Sequence, residues 1–327
     1  ADKYGTDTLV DAMAEVMSYS ERMMRTLLAR LPDGESSFED FCDGDGIIEE
    51  GDAEDQPFTI RMTVKKVGDA MEVDFAGTDP AVSGPRNAPM SVTASGVFTA
   101  LKTIVDPDGL APPNSGCWRT IKVTAPKGCV LNAEFPSPVV YANHEISHRV
   151  CDMTFGAVAP FWPDNVMACS QGTSAVITFG GKDPRNGQRY VSYETIKGGF
   201  GARPVKDGIN AIASGISNTM NTPIEVLEMS FPVRVDEYAL RPDSGGPGKY
   251  RGGLAAQRTW TVLGHKARAS ACVERTLSPP FGLQGGGAGM TARIWTEAVD
   301  GTLKTVGGKG GFDVPDGGKI HLKVPGS

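Results

Sequence analysis

The run Asn218–Gly253, NTMNTPIEVLEMSFPVRVDEYALRPDSGGPGKYRGG, decides how the chain must fold. Its opening is a polar Asn/Thr/Pro turn. Phe231 to Leu240 then alternates apolar and polar side chains, as a half-buried strand does. From Arg241 onward neither helical nor strand periodicity survives among the glycines and prolines. An α-helix cannot persist there, because Gly costs about 1 kcal/mol and Pro about 3 kcal/mol at an interior position. The segment lies between two strand-like runs, so it is ordered extended backbone rather than a linker.

Glycine is the compositional outlier throughout. The chain holds 41 glycines in 327 residues, where average usage of about 7% gives roughly 23. They cluster at 198–201, 245–253, 285–289 and 307–311, separated by strand-like runs. Closely packed extended segments of the polyproline-II type suit such clusters, since a backbone without Cβ allows close approach. A net charge of −7 with scattered Lys and Arg argues against nucleic acid or an anionic bilayer as partner. Nothing in the sequence reaches 18 consecutive apolar residues, so no membrane span is expected. The six cysteines (42, 117, 129, 151, 169 and 272) form no C-x-x-C pair. Reduced thiols and a cytoplasmic location follow as expectations.

Leu9, Met13, Val16, Ser20, Met24, Leu27 and Leu31 predict one amphipathic helix over 8–31, stopped by Pro32-Asp33-Gly34. The acidic stretch Glu35–Asp55 reads as a solvated loop; its D-G-D-G at 43–46 lacks the spacing of a calcium loop. Hairpins are expected around Gly68-Asp69 and around 182–187, and helices over 91–105 and 144–158. Strands are expected at 119–125, 231–240, 256–263, 268–275, 291–297 and 319–324. The pattern is α+β and β-rich. Its expected segments are an N-terminal helix (1–34), a mixed sheet and helix region (35–197), and a Gly-rich extended and strand region (198–327).

His144-Glu145-Ile146-Ser147-His148 is an H-E-x-x-H. On a helix its two histidines share a face and can hold zinc, with Glu145 as general base. Cys151 and Asp152 fall near that face, but no third ligand stands at the usual offset; the alternative is histidines satisfied by hydrogen bonds. The sequence contains neither a phosphate-binding G-x-x-x-x-G-K-[ST] nor a nucleophile elbow. Asn87, Asn114 and Asn221, like Asn218, are candidates to orient a carbonyl or amide substrate, or else turn caps. Glu194 and Arg203 flank G-G-F-G (198–201), where bare backbone can approach a ligand; a structural ion pair between them is the competing reading. Glu225 and Glu228 lie one turn apart if helical and on opposite faces if extended.

Several blocks in order carry a family resemblance: L-P-D-G (31–34), V-D-F-A-G-T-D-P (73–80), G-P-R-N-A-P (84–89), N-S-G-C-W-R (114–119) and A-P-K-G-C-V-L-N (125–132). A-C-S-Q-G-T (168–173), Y-E-T-I-K-G-G-F-G-A-R-P (193–204) and the opening run complete the set. Together they resemble the C-terminal part of the hydantoinase B/5-oxoprolinase family. The resemblance implies a barrel-like arrangement of sheets running into a Gly/Pro-rich bundle. It implies a role within the B-type subunit of an ATP-dependent cyclic-amide hydrolase. A ketone carboxylase subunit and a non-catalytic scaffold are the alternatives. The implied partners are an ATP-binding A-type subunit or domain and the N-terminal part of the B-type subunit, in a hetero-oligomer. ATP and a divalent metal are implied for the full complex, the family's metal-binding Asp and His lying in an N-terminal region outside this chain. No cofactor and no catalytic residue are assigned to the chain itself. Asn87, Asn114, Glu194, Arg203, Asn221 and Glu225 are the expected site wall, with His144 and His148 as the alternative metal pair.

Overall fold

A computed structural model describes residues 3–50, 52 and 54–327. In chain order the elements are α1 (Thr6–Leu28), β1 (Gly34–Cys42), β2 (Phe58–Val67), β3 (Ala70–Asp74), α2 (Met90–Val105), β4 (Ile121–Thr124) and α3 (Ser147–Val158). There follow β5 (Val176–Lys182), β6 (Arg189–Thr195), α4 (Ile224–Ser230), β7 (Val233–Leu240), β8 (Ala256–Val262) and β9 (Ala267–Cys272). The last are β10 (Arg293–Glu297), β11 (Leu303–Thr305), β12 (Lys309–Val314) and β13 (Lys319–Lys323).

The strands form three sheets, ordered β1-β2-β3-β4, β11-β10-β13-β8-β7 and β12-β9-β5-β6. None closes into a barrel, which corrects the barrel-like expectation. Closure needs the outer strands to pair with each other; here β1 and β4, β7 and β11, and β6 and β12 remain edges. The first sheet instead buries its apolar face with α2, α3 and the second half of α1, in a core that includes Met24, Ile60, Val73, Leu101 and Val150. The other two sheets share a second core, where Phe179 of one meets Trp260 of the other at 6.1 Å between ring centroids. β5 and β6 pair into the same sheet as β9 and β12, so that sheet spans the expected boundary at 197/198.

The glycine clusters at 198–201, 245–253 and 285–289 run outside the strands, whereas that at 307–311 enters β12, where Gly310 and Gly311 pair with β9. Phe200 N–H donates to the Ile209 carbonyl at 2.9 Å, Gly253 N–H to Phe200 at 3.1 Å, and Gly287 N–H to Pro247 at 2.7 Å, all outside any strand. At Gly199 a Cβ would collide with the Gly253 carbonyl, and at Gly253 with that of Ile209. Only glycine permits these backbones to lie so close.

Two readings change. The acidic stretch is not a solvated loop at its start: Gly34–Cys42 is β1, in antiparallel register with β2 from Gly34↔Lys66 to Cys42↔Phe58. Asp40 and Asp43 are buried. The first helix also packs along only half its length. Ser20, Met24 and Leu28 are its buried positions, while Leu9, Val10, Met13, Val16 and Tyr19 are exposed.

Candidate active site

The first turn before α3 is not α-helical. Ala142–Ile146 forms a π turn that runs directly into α3, with Ser147 N–H donating to the Ala142 carbonyl five residues back. Such insertions often mark functional positions. His148 is buried, with Nε2 at 3.0 Å from Ser174 Oγ and Nδ1 in a short contact with Ser214 Oγ. Burial, with His144, Lys197 and Arg149 nearby, pushes His148 down to about 3, so it is neutral at physiological pH. His144 is half-buried, and its Nε2 lies 3.2 Å from the Tyr193 hydroxyl. Among the described residues no group of three His, Cys, Asp or Glu is arranged to hold a metal ion. Hydroxyl groups engage the two imidazoles separately.

Glu145, between them, is the unusual group. It is 1% exposed, and its Oε2 has no hydrogen-bond partner among the described residues. Burial, the largest influence, pushes its carboxyl up to about 8; Arg86 opposes that rise and Glu274 adds to it. Cys272 Sγ sits 3.7 Å from Oε1. Arg86 is buried beside it, its Nε and Nη1 lacking hydrogen-bond partners among the described residues and its guanidinium 5.1 Å from the Tyr141 ring centroid. His144 Nδ1 is similarly unpartnered. Native proteins leave few buried polar atoms unmatched, and each needs a reason. Those of Arg86, His144 and Glu145 lie on neighbouring side chains near Tyr141, which is half-buried, and Tyr193, which is 49% exposed; others lie elsewhere, on Asn221, Arg258 and Trp260 among them.

Behind this group a buried ionic network joins the two cores. Arg149 of α3 donates to Asp40 of β1 at 3.0 Å and to Glu274, just past β9, at 3.2 Å. Arg275 holds Asp40 at 2.6 Å, and Lys309 of β12 lies 2.8 Å from Glu274 Oε1, with Arg86 Nη1 at 3.9 Å. Burial by itself would raise the Glu274 carboxyl, but Lys309, Arg86 and Arg149 together hold it down at about 2. Two glutamates of one seam are thus driven in opposite directions, one toward the neutral acid and one toward the anion. Such divergence separates acid from electrostatic roles.

The sequence-predicted wall residues scatter. Asn87 is buried; it accepts from Val82 N–H at 2.8 Å and donates to the Val82, Gly84 and Pro138 carbonyls. It locks the turn that carries Arg86 to the loop that carries Tyr141, so it supports the site without facing it. Asn114 caps Gly116 N–H and donates to Ser20 Oγ, pinning α1. Glu194 does not pair with Arg203. Strand alternation places it opposite Tyr193, where Arg258 donates to it at 3.1 Å and Thr222 at 3.0 Å. Asn221 joins the Arg258 cluster through Tyr238. Arg203 turns to the Asp207 carbonyl at 2.6 Å, beside a cavity of about 260 Å³ in the glycine segments. Glu225 is exposed in the first turn of α4, and Glu228 accepts Val235 N–H at 2.8 Å. Residue types alone did not single out Arg86, Tyr141, Tyr193, Glu274 or Lys309. The available signal was charge inside strand-like apolar runs, as at Glu274 in A-C-V-E-R.

These features define a mixed α/β chain of three open sheets with a buried acid at their seam. That architecture recurs in solved structures. It matches the ATP-dependent caprolactamase from Pseudomonas jessenii with a TM-score of 0.83 and 26% identity, over 100% of this chain and 56% of that one. Nucleotide-free acetone carboxylase shares the fold at TM-score 0.82 and 16% identity, over 94% of this chain and 47% of that one. The Hydantoinase B/oxoprolinase family model matches residues 1–327, and the chain belongs to that family. The B-type subunit of a putative D-/L-hydantoinase from Pseudomonas sp. (strain NS671) is 37% identical over 80% of the chain and 44% of its own length. 5-Oxoprolinase 1 of Arabidopsis thaliana is 31% identical over 99% of the chain and 25% of its own length. The chain thus spans about half or less of the relatives it matches.

Proposed function

We propose that the chain is part of the B-type subunit of an ATP-dependent cyclic-amide hydrolase of the hydantoinase/5-oxoprolinase kind, and that the Glu145 seam is its contribution to the reaction. The observation that carries this reading is a buried carboxyl that stays protonated to about pH 8 beside unpartnered nitrogens of Arg86 and His144. Opening a cyclic amide needs a proton for the departing nitrogen and a stabilising charge for the carbonyl oxygen. Protonated Glu145 supplies the first and the Arg86 guanidinium the second. Burial lowers the pKa of His144, leaving a neutral imidazole that can take a proton from an attacking water. The C–N bond breaks as water adds; the Glu145 proton passes to nitrogen, and His144 returns its proton to Glu145 through solvent. ATP makes a poor electrophile reactive when bound by the full complex.

The same reading gives the chain partners: an ATP-binding A-type subunit or domain and the rest of the B-type polypeptide, in a cytoplasmic hetero-oligomer. The exposed apolar residues on the first half of α1 support it, since a stripe such as Leu9, Met13 and Val16 calls for a covering surface. Turnover of hydantoin, 5-oxoproline and small ketones by the assembled complex tests the proposal. Lactam- or imide-dependent ATP hydrolysis that falls at least a hundredfold in Glu145→Gln, with assembly intact, is the expected result. Ketone-dependent bicarbonate fixation would assign the chain to a carboxylase instead. Unchanged turnover in Glu145→Gln would leave it a scaffold.

A further inference from the structure

A second site lies away from the seam, on the outer face of the five-stranded sheet. On neighbouring antiparallel strands Arg293 stands directly opposite Lys323, and Trp295 opposite His321. One end of this ladder is balanced: Glu297 takes Lys319 at 2.8 Å and His321 at 3.0 Å. The other end is not. Like charges directly opposed across strands are destabilising, yet neither Arg293 nor Lys323 has a carboxylate within 4.0 Å among the described residues, nor has Arg241 beside them. Arg241 is 7% exposed, and its Nη1 is taken by the carbonyls of Thr291 and Val324 at 2.7 and 3.1 Å. Among the described residues only Nη1 of this guanidinium is engaged, leaving Nε and Nη2 without a partner. Burial, and then the nearness of Arg293, lowers the Arg241 pKa, so its charge is held there at a cost.

These three cations converge on a groove of about 700 Å³, walled by Leu277, Leu303 and the Trp295 ring. In a chain of net charge −7 that is an uncompensated positive site with an aromatic side. The recessed position of Arg241 favours a small ligand over a flat protein surface. We propose that this groove binds a small oxyanion, a phosphate or carboxylate group whose attached carbon skeleton lies against Trp295. Arg241 and Arg293 supply the planar N–H donors that such groups prefer, and Lys323, with its ammonium 5.6 Å from the Trp295 centroid, supplies the third charge.

The test uses the 327-residue chain and the double variant Arg293→Gln/Lys323→Gln, whose changes are confined to the sheet's outer face. Thermal unfolding and Trp fluorescence are followed against inorganic phosphate, and separately against acetate, with ionic strength held constant by chloride. Expected is a saturable rise in Tm of several degrees for the parent chain and a midpoint at least tenfold weaker in the double variant. Relief of the opposed charges should also make the anion-free variant melt higher than the parent. The fluorescence response should vanish in Trp295→Phe. Phosphate active alone assigns phosphate esters, and acetate active alone assigns carboxylates. Equal responses of parent and double variant would overturn the proposal. So would no response beyond chloride, or binding of an acidic polypeptide without either small anion.

Discussion

Replacing Glu274 by Gln should remove the anion around which three buried cations are arranged. Its Oε2 accepts from Arg149 at 3.2 Å and from Asp43 N–H at 2.9 Å, and Oε1 faces Lys309 at 2.8 Å. The side chains of Arg149, Arg86 and Lys309 are 0%, 2% and 8% exposed, so water cannot replace what is lost. Breaking a buried pair by removing one partner costs about 3–5 kcal/mol. An independent route gives a similar figure. A folded-state value near 2 against 4.5 unfolded is worth about 3 kcal/mol. Because the folded value is depressed, this contribution is complete above pH 4.5 and disappears as pH falls through about 2. Urea unfolding at pH 7 should therefore show the variant less stable by about 3–5 kcal/mol with an unchanged m value. The gap should narrow steadily below pH 4.5. A loss under about 1 kcal/mol at pH 7, or a gap independent of pH, would refute the electrostatic account of the seam.

Glu145→Gln should do the reverse to stability: a carboxyl raised from 4.5 to about 8 costs stability increasingly as pH climbs between those values. The variant should therefore gain on the parent from pH 5 to a plateau above pH 8, by several kcal/mol in parallel urea titrations. Asn87→Ala removes one buried acceptor contact and two N–H donors shared among three carbonyls, so a loss of about 3 kcal/mol is expected in the same assay. Activity of the complex should fall with it, because the Arg86 turn is released. Gly253→Ala drives a methyl into the Ile209 carbonyl. A cost of about 1–3 kcal/mol should appear as a lower Tm, whereas Gly301→Ala, with open space around it, should show only the smaller strain of its positive φ.

Much of the fold was legible because local patterns agree with tertiary packing. The helix expected at 91–105 forms over Met90–Val105, and the hairpin at Gly68-Asp69 closes with Val67 opposite Ala70. β1 was missed for a physical reason. Its inward positions are Gly34, Ser36, Phe38, Asp40 and Cys42, while Phe41 points out at 44% exposed, so hydrophobic alternation is absent. What buries Asp40 is Arg149 and Arg275, more than a hundred residues away, and no local window contains them. H-E-x-x-H was visible as letters, but the hydroxyls of Ser174, Tyr193 and Ser214 that engage its two histidines lie 26, 49 and 66 residues away and were not. Asn87 drew notice where the neighbouring Arg86 faces Glu145 and Tyr141, because sequence shows which turn is unusual and not which side chain it presents.

The claim on which the rest depends is that Glu145 carries a proton at neutral pH inside an otherwise ionised seam. Difference infrared spectroscopy of the assembled protein, parent minus Glu145→Gln, reads the carboxylic acid C=O band directly as pH is raised. A band present at pH 7 that titrates away near pH 8 is the predicted result. Its absence at pH 7, with carboxylate bands already complete by pH 5, would contradict the account.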